Sequence, residues 1–321
     1  MKFLSLIYGF AVFLRNKMYD TGILKSREVE NVKIICIGNI VAGGSGKTPA
    51  VQYFAEKYIN KNKKVGILSR GYKGKRNIDT MSVRDENEIK ATVLEAGDEA
   101  YLHGLNLEIP VVVSKNRYNG AVYLRNNYNV DIIIMDDGFQ HRKLKKNKNI
   151  VLIDATNPFG GYEYLPKGRL RESINELKRA DEIIITKSNY VETSIIDLIK
   201  NKIVKYNKPI SVAIYKEKCF YDYMRKNYKL DVIKDKKIMI FSSIANPKTF
   251  YMTVKKLKPA KIDEIKFNDH HLYSEEEMQE IYRESKNYDY VVTTEKDMAK
   301  INRKIDNLLI LKMGFEIIEK K

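Results

Sequence analysis

The run Gly38-Asn39-Ile40-Val41-Ala42-Gly43-Gly44-Ser45-Gly46-Lys47-Thr48 stands between a β-branched stretch at residues 32–37 and a helical pattern at residues 49–59. Glycines at this spacing let successive backbone N–H groups and the start of the next helix point at one anion, as in loops that cradle nucleotide phosphates. Val41, Ala42, Gly43, Gly44, Ser45 and Gly46 would form the cradle, Lys47 would reach the β- and γ-phosphates of ATP, and Thr48 would ligate Mg²⁺. Val41 stands where the strict G-x-x-x-x-G-K-[ST] pattern has glycine. The competing reading is a glycine-rich turn with an incidental lysine, and the strand-loop-helix context weighs against it.

A second constellation closes the apolar run at residues 132–135 with Asp136-Asp137-Gly138-Phe139-Gln140-His141. An acid at the C-terminal end of a strand beside the phosphate loop is placed to hold Mg²⁺ directly or through water. Asp136 and Asp137 are therefore metal candidates, against the alternative of a strand-ending turn. Gly97-Asp98-Glu99 offers two further carboxylates. Phosphoryl transfer needs a group to take the proton of the attacking hydroxyl, and Asp98 is a candidate against a simple turn. Arg70, in Ser69-Arg70-Gly71-Tyr72, follows a strand and can reach phosphate, while Arg142 opens a basic run to Lys146 that reads equally as an anion site or a solvated turn. Asp269-His270-His271-Leu272-Tyr273 precedes Ser274-Glu275-Glu276-Glu277, an S-x-x-E capping box that opens a helix. Histidines on such a loop are structural by default and lack the spaced partners of a metal site.

The elements that must position these groups follow from periodicity. Apolar runs at residues 32–37, 64–68, 110–113, 131–135, 150–153 and 183–186 alternate with helical stretches, which suits parallel strands covered on both faces. The expected fold is α/β, a P-loop NTPase-like doubly wound parallel sheet. The pattern restarts at residues 237–241 after a polar stretch at 215–229, which implies a second, smaller α/β domain. The expected division is an N-terminal helix at 1–25, a core domain at 26–225 and a smaller domain at 226–321. Residues 3–14 are apolar and followed by Arg15 and Lys17. Such a segment is too short to cross a bilayer, and it reads as a helix in the membrane interface or as a first core helix.

Composition bounds the remainder. The chain has 321 residues, 44% hydrophobic and 31% charged, enough for a packed interior. With 58 Lys and Arg against 41 Asp and Glu, the net charge of +17 favours an anionic partner or reflects a lysine-rich genome. Cys36 and Cys219 are too far apart in sequence to suggest a zinc site or disulfide framework.

In order along the chain, GNIVAGGSGKTP, LSRGYKG, AGDEA, DDGFQHRKL, YLPKGRLRE, FSSIANPKTF, DHHLY and TTEKD resemble the tetraacyldisaccharide 4'-kinase (lipid A 4'-kinase) family over nearly the whole chain. The resemblance implies transfer of the ATP γ-phosphate to the 4'-hydroxyl of an acylated glucosamine disaccharide 1-phosphate in lipid A biosynthesis. It places the protein at the cytoplasmic face of the Gram-negative inner membrane, as a peripheral or monotopic protein in contact with anionic lipid. It further implies Asp98 as proton acceptor with His270 as its partner, Glu99 in the metal set, Arg70, His141 and Arg142 on the acceptor side, and the smaller domain as a lid. The phosphate loop and its Mg²⁺ acid are shared with P-loop GTPases and metallochaperone ATPases, but no [NT]KxD motif or Cys/His cluster accompanies them. Nucleic acid is not an expected partner, since no helix-turn-helix, RNP or zinc signature is present, and no obligate protein partner is evident.

Overall fold

A computed structural model describes residues 1–321 except Ser45, Ala245, His270 and Lys321, and excluding the side chain of Lys320. The chain forms two compact units, Met1–Tyr215 with Phe315–Lys321, and Lys216–Gly314. The division falls ten residues before the expected position of 226, and the last residues rejoin the first unit. The polar stretch at 215–229 misled the boundary because it begins inside a half-buried strand whose outward positions are polar.

In the first unit the elements run α1 (Lys2–Asp20), β1 (Lys33–Gly38), α2 (Lys47–Ile59), β2 (Val65–Ser69), β3 (Thr80–Arg84), α3 (Val93–Ala96), α4 (Asp98–Asn106), β4 (Val111–Ser114), α5 (Arg117–Tyr128), β5 (Ile132–Asp136), β6 (Lys148–Asp154), β7 (Glu182–Thr186), α6 (Thr193–Ile203) and the start of β8 (Ile210–Tyr221). The sheet order is β3-β4-β2-β5-β1-β6-β7-β8. Strands β2, β4 and β5 are buried along their whole length and β1 everywhere but its first residue. That two-sided burial is what a parallel sheet covered by helices requires. β3 departs from the expectation of parallel strands: it pairs antiparallel with β4 at the edge, with a register shift between Ser82 and Arg84. Its sequence, Thr-Met-Ser-Val-Arg, is half polar because one face of an edge strand meets water.

In the second unit, β9 (Asn227–Tyr228) pairs antiparallel with the end of β8. β10 (Lys237–Ser242), α7 (Pro247–Lys255), β11 (Lys261–Lys266), α8 (Glu275–Ser285), β12 (Tyr290–Thr294), α9 (Glu295–Met298) and β13 (Leu308–Lys320) follow. Strands β11, β10, β12 and β13 pair in parallel in that order. The capping box at α8 forms as expected, with Ser274 accepting from the Glu277 N–H and Glu277 accepting from the Ser274 N–H.

Helix α1 inverts the usual arrangement. Its buried residues are Ser5, Gly9 and Asn16, whereas Phe3, Leu6, Phe10 and Phe13 are 62–74% exposed. The reading as a core helix therefore fails, because the face that packs on the protein is small and polar. Gly9 lies so close to the Tyr164 ring that a Cβ would approach it to 2.7 Å. Ser5 Oγ accepts from the Lys167 N–H at 3.0 Å, and Tyr8 donates to the Arg171 carbonyl at 3.2 Å. No helix among the described residues is long and apolar enough to cross a membrane.

Candidate active site

The phosphate loop leaves the C-terminal end of β1, the strand between β5 and β6, and enters α2. Lys47 and Thr48 open that helix and are each 7% exposed. Gly46 precedes them at φ 74°, and the Tyr215 hydroxyl donates a short hydrogen bond to its carbonyl. A Cβ at Gly46 would run into that tyrosine ring, so the position requires glycine twice over, for its φ and for its neighbour. The Arg169 carbonyl accepts from the Ala42 N–H at 2.7 Å, and Lys187 donates to the Gly44 carbonyl at 2.7 Å while pairing with Asp154. One backbone and two side-chain partners thus hold the loop at Ala42, Gly44 and Gly46. Ser45 lies outside the described residues.

The two carboxylates at the end of β5 have separate surroundings. Asp137 receives Arg171 Nη1 at 2.8 Å on both oxygens and stands 3.7 Å from Lys47 Nζ. Burial alone would raise its pKa, but Lys47, Arg171 and Arg117 outweigh burial and hold it below the usual carboxylate range. Asp136 is 1% exposed, lies 3.5 Å from His103 Nε2, and its Oδ1 has no hydrogen-bond partner among the described residues. Arg117, 3% exposed at the start of α5, donates to the Ser114 carbonyl at 2.6 Å. Burial pushes its pKa down to about 10 against the opposing pull of Asp136 and Asp137, and it stays cationic at neutral pH.

Asp98 and Glu99 occupy the first turn of α4, where carboxylates suit the helix dipole. The loop after β2 is tied to this region by the Lys75 N–H bonding to the Leu94 carbonyl, and Arg76 holds the carbonyls of Arg70 and Gly71. The charges of Glu99 and Asp137 both raise the pKa of Arg171, opposing its burial, and the charge of Arg70 acts on His141. Asp98, Glu99 and Arg70 thus belong to the same unit and the same end of the sheet as Lys47 and the Asp136-Asp137 pair.

His141 and Arg142 part company. Burial, then the cations Arg117 and Lys146, push the His141 pKa down to about 4, and its Nε2 is buried without a hydrogen-bond partner among the described residues. Arg142 instead turns to α1, donating to the Asn16 carbonyl at 3.0 Å and to Asp20 at 2.8 Å. The carbonyls of Gly138, Phe139 and His141 all accept from Lys146 Nζ, which staples this loop. The buried Glu172 gathers Arg15, Asn16, Gln140 and Arg179.

In the second unit, His270 lies outside the described residues. His271 Nε2 donates to the Glu277 carboxylate at 2.8 Å and the ring stacks on Phe267, a structural arrangement. The loop carrying it is anchored by Tyr273, whose hydroxyl donates to the buried Asp297 at 2.8 Å. Asp297 also takes the Ser243 N–H and the Thr294 hydroxyl and pairs with Lys300. The Thr-Thr-Glu-Lys-Asp motif is thus a helix cap and a polar knot in one.

Sequence reasoning passed over His103, Arg117 and Arg171. His103 follows Glu99 by four residues and so shares its helix face. Arg171 alternates with the buried Leu170, a period of two that sets Arg169 and Arg171 on the side opposite the core.

The family model described as tetraacyldisaccharide-1-P 4'-kinase matches residues 1–321. A curated relative from Halothermothrix orenii named tetraacyldisaccharide 4'-kinase is 35% identical, covering 99% of this chain and 88% of the relative. One from Elusimicrobium minutum with the same name is 33% identical over 92% of this chain and 80% of its own. The crystal structure of LpxK from Aquifex aeolicus in complex with ATP superposes with a TM-score of 0.80 at 31% identity, covering 98% of this chain and 93% of that one. By sequence from end to end and by fold, the chain belongs to the tetraacyldisaccharide-1-phosphate 4'-kinase family.

Proposed function

We propose that the chain transfers the γ-phosphate of ATP to the 4'-hydroxyl of a tetraacylated glucosamine disaccharide 1-phosphate, the lipid A precursor, giving lipid IVA. The observation that carries this reading is the convergence of a preformed phosphate loop, Lys47 and the Arg171-clamped Asp137 at one sheet edge in a chain matched to this family throughout. A loose phosphoryl-transfer transition state asks mainly for positioning and charge, which these groups supply. Lys47 neutralises the transferring phosphates, Asp98 takes the proton of the attacking hydroxyl, and the catalytic role that the family resemblance implies for His270 is part of the same proposal. Arg70 and His141 face the acceptor, His141 as a neutral ring. Arg142 contributes through α1, given its contacts there.

The residues fit Mg²⁺. Asp136 keeps an unpartnered, buried oxygen, with Asp137 beside it, Thr48 at the start of α2 and Glu99 in the same unit. No group of three His, Cys, Asp or Glu among the described residues is arranged to hold a metal by itself, which suits an ion that takes much of its shell from phosphates and water. When bound, Mg²⁺ neutralises charge on the phosphates.

The exposed apolar face of α1 lies in the cytoplasmic leaflet of the Gram-negative inner membrane, with the basic surface of the protein toward lipid phosphates. The lid role expected of the smaller unit is part of the same proposal, since exclusion of water suppresses ATP hydrolysis. The test is transfer from γ-labelled ATP with Mg²⁺ to detergent-dispersed acceptor, beside an acceptor-free control and Lys47→Ala. Labelled lipid that falls by a factor on the order of 10²–10³ in the variant supports the proposal. Acceptor-independent release of phosphate with no labelled lipid sinks it.

A further inference from the structure

A cavity of about 280 Å³ opens on the first unit beside the loop segment at residues 162–175 that carries Arg169 and Arg171. Tyr162, Tyr164, Asn175, Lys202, Lys205 and Tyr206 line it. Lys202 lies 5.7 Å over the Tyr162 ring and Lys205 5.2 Å over Tyr206, and neither ammonium has a carboxylate partner among the described residues. The Tyr206 hydroxyl donates to Asn175 Oδ1 at 3.0 Å, leaving the amide N–H groups of Asn175 available. Two unpaired cations, an amide and tyrosine hydroxyls around a small hollow are recognition chemistry for a phosphate ester.

The neighbouring sequence shows where such an ester would come from. Tyr162, in the lining, is 61% exposed, and Leu198 and Val204, in the same segment of chain as Lys202 and Lys205, are 65% and 63% exposed, so large apolar side chains stand in water beside these lysines. Tyr164, in the lining, joins the cavity to α1, packing on Gly9 with its ring 6.4 Å from that of Tyr8. Apolar groups interleaved with lysines suit the level of lipid headgroups, where stems and rings meet acyl chains and charges meet phosphates. The hollow has room for a glycerophosphate head but not for acyl chains.

We propose that this cavity binds the headgroup phosphate of an anionic glycerophospholipid in the bilayer on which α1 rests. The inference relies on the membrane reading of α1 and adds a discrete site to it. A lipid held there fixes the rotation of the protein about α1, which an apolar helix face alone leaves loose.

The test is sedimentation of the full chain with vesicles of phosphatidylcholine, or of equal parts phosphatidylcholine and phosphatidylglycerol. Variants are Lys202→Gln with Lys205→Gln, the cavity-filling Asn175→Trp, and a charge-matched control, Lys61→Gln with Lys63→Gln, with thermal melts to verify folding. Near a membrane each lysine contributes about 1 kcal/mol, so the double variant should lose on the order of 30-fold in affinity for the anionic vesicles. Asn175→Trp should lose the preference with its charge intact, and the control pair should retain most of it. Equal losses in both lysine pairs with no effect of Asn175→Trp would overturn the site in favour of diffuse charge. Binding to both vesicles without preference would overturn the site and leave the α1 reading standing, and binding to neither would overturn both. Displacement from anionic vesicles by soluble glycerol 3-phosphate identifies a free phosphate ester as the ligand. A raised acceptor KM for Asn175→Trp in phospholipid-free detergent assigns the cavity to the substrate; either result overturns the lipid assignment.

Discussion

Glu172 offers the sharpest test of how α1 is joined to the catalytic end of the sheet. Its side chain is fully buried, and four donors converge on it. Arg15 Nη2 at 2.7 Å and Asn16 Nδ2 at 3.0 Å reach Oε1 from α1, while Arg179 Nη2 at 2.5 Å and Gln140 Nε2 at 3.2 Å reach Oε2. Removing one partner of a buried charge pair costs about 3–5 kcal/mol because the other charges lose their counterion. Here the lower end applies: Arg179 keeps Glu176 at 2.6 Å, and Arg15, 38% exposed, recovers water. Glu172→Ala should therefore lose about 3 kcal/mol, a large share of a typical 5–15 kcal/mol total, and lower Tm by roughly 6–12 °C. Glu172→Gln keeps one acceptor but turns an N–H₂ group toward a donor, so it should lie between the two. Arg15→Ala and Asn16→Ala should each cost about 1 kcal/mol or less, since each removes one hydrogen bond and leaves the carboxylate its other donors. The assay is urea unfolding together with trypsin cleavage after Arg15 or Lys17, which should accelerate in Glu172→Ala as α1 lifts away. A loss under 1 kcal/mol, or unchanged cleavage, would refute the view that this carboxylate pins the helix.

Three further outcomes are expected. Gly46→Ala should abolish ATP binding or unfold the loop, whereas Tyr215→Phe, which loses only the hydroxyl, should cost little; equal calorimetric ATP affinity for Gly46→Ala and the parent would contradict the clash. The folded His141 pKa of about 4 lies below its ordinary 6.5, so as pH falls through that interval the unfolded chain takes the proton first and stability drops. His141→Asn should flatten denaturation free energy against pH between 6.5 and 4, and an unaltered slope would count against the burial argument. Replacing Phe3, Phe10 and Phe13 by Gln leaves the Ser5, Tyr8 and Asn16 contacts in place. Vesicle binding should then fall sharply with ATP affinity unchanged, and undiminished binding would remove α1 from the membrane interface.

The legibility of the molecule from its sequence follows the locality of each signal. The strand-loop-helix around Lys47 and the strand ending in Asp136 and Asp137 were readable because each is contiguous in sequence. The central strands were readable from unbroken apolar runs, and the edge strands β3 and β11 were not, because water on one side makes their sequences polar. Arg117, His103 and Arg171 meet the acidic pair from three separate segments, and spacing within one segment carries no record of such a meeting. For α1 the apolar pattern identified a helix, but which face packs depended on partners such as Tyr164, Glu172 and Arg142, more than a hundred residues away.

The return of the final residues to the first unit bears on how the protein is made. Phe315 packs its ring 5.1 Å from Tyr53 and 5.6 Å from Tyr215, and Glu319 pairs with Lys200 at 2.8 Å. A nascent chain that has reached Tyr215 has every strand of the first unit except this last segment, and must wait while the ribosome adds Lys216–Gly314. At about 5–20 residues per second, that interval lasts roughly 5–20 s. Tyr215, which braces Gly46 of the phosphate loop, therefore gains Phe315 as a ring neighbour only after Lys216–Gly314 have been translated, although the loop itself emerges long before.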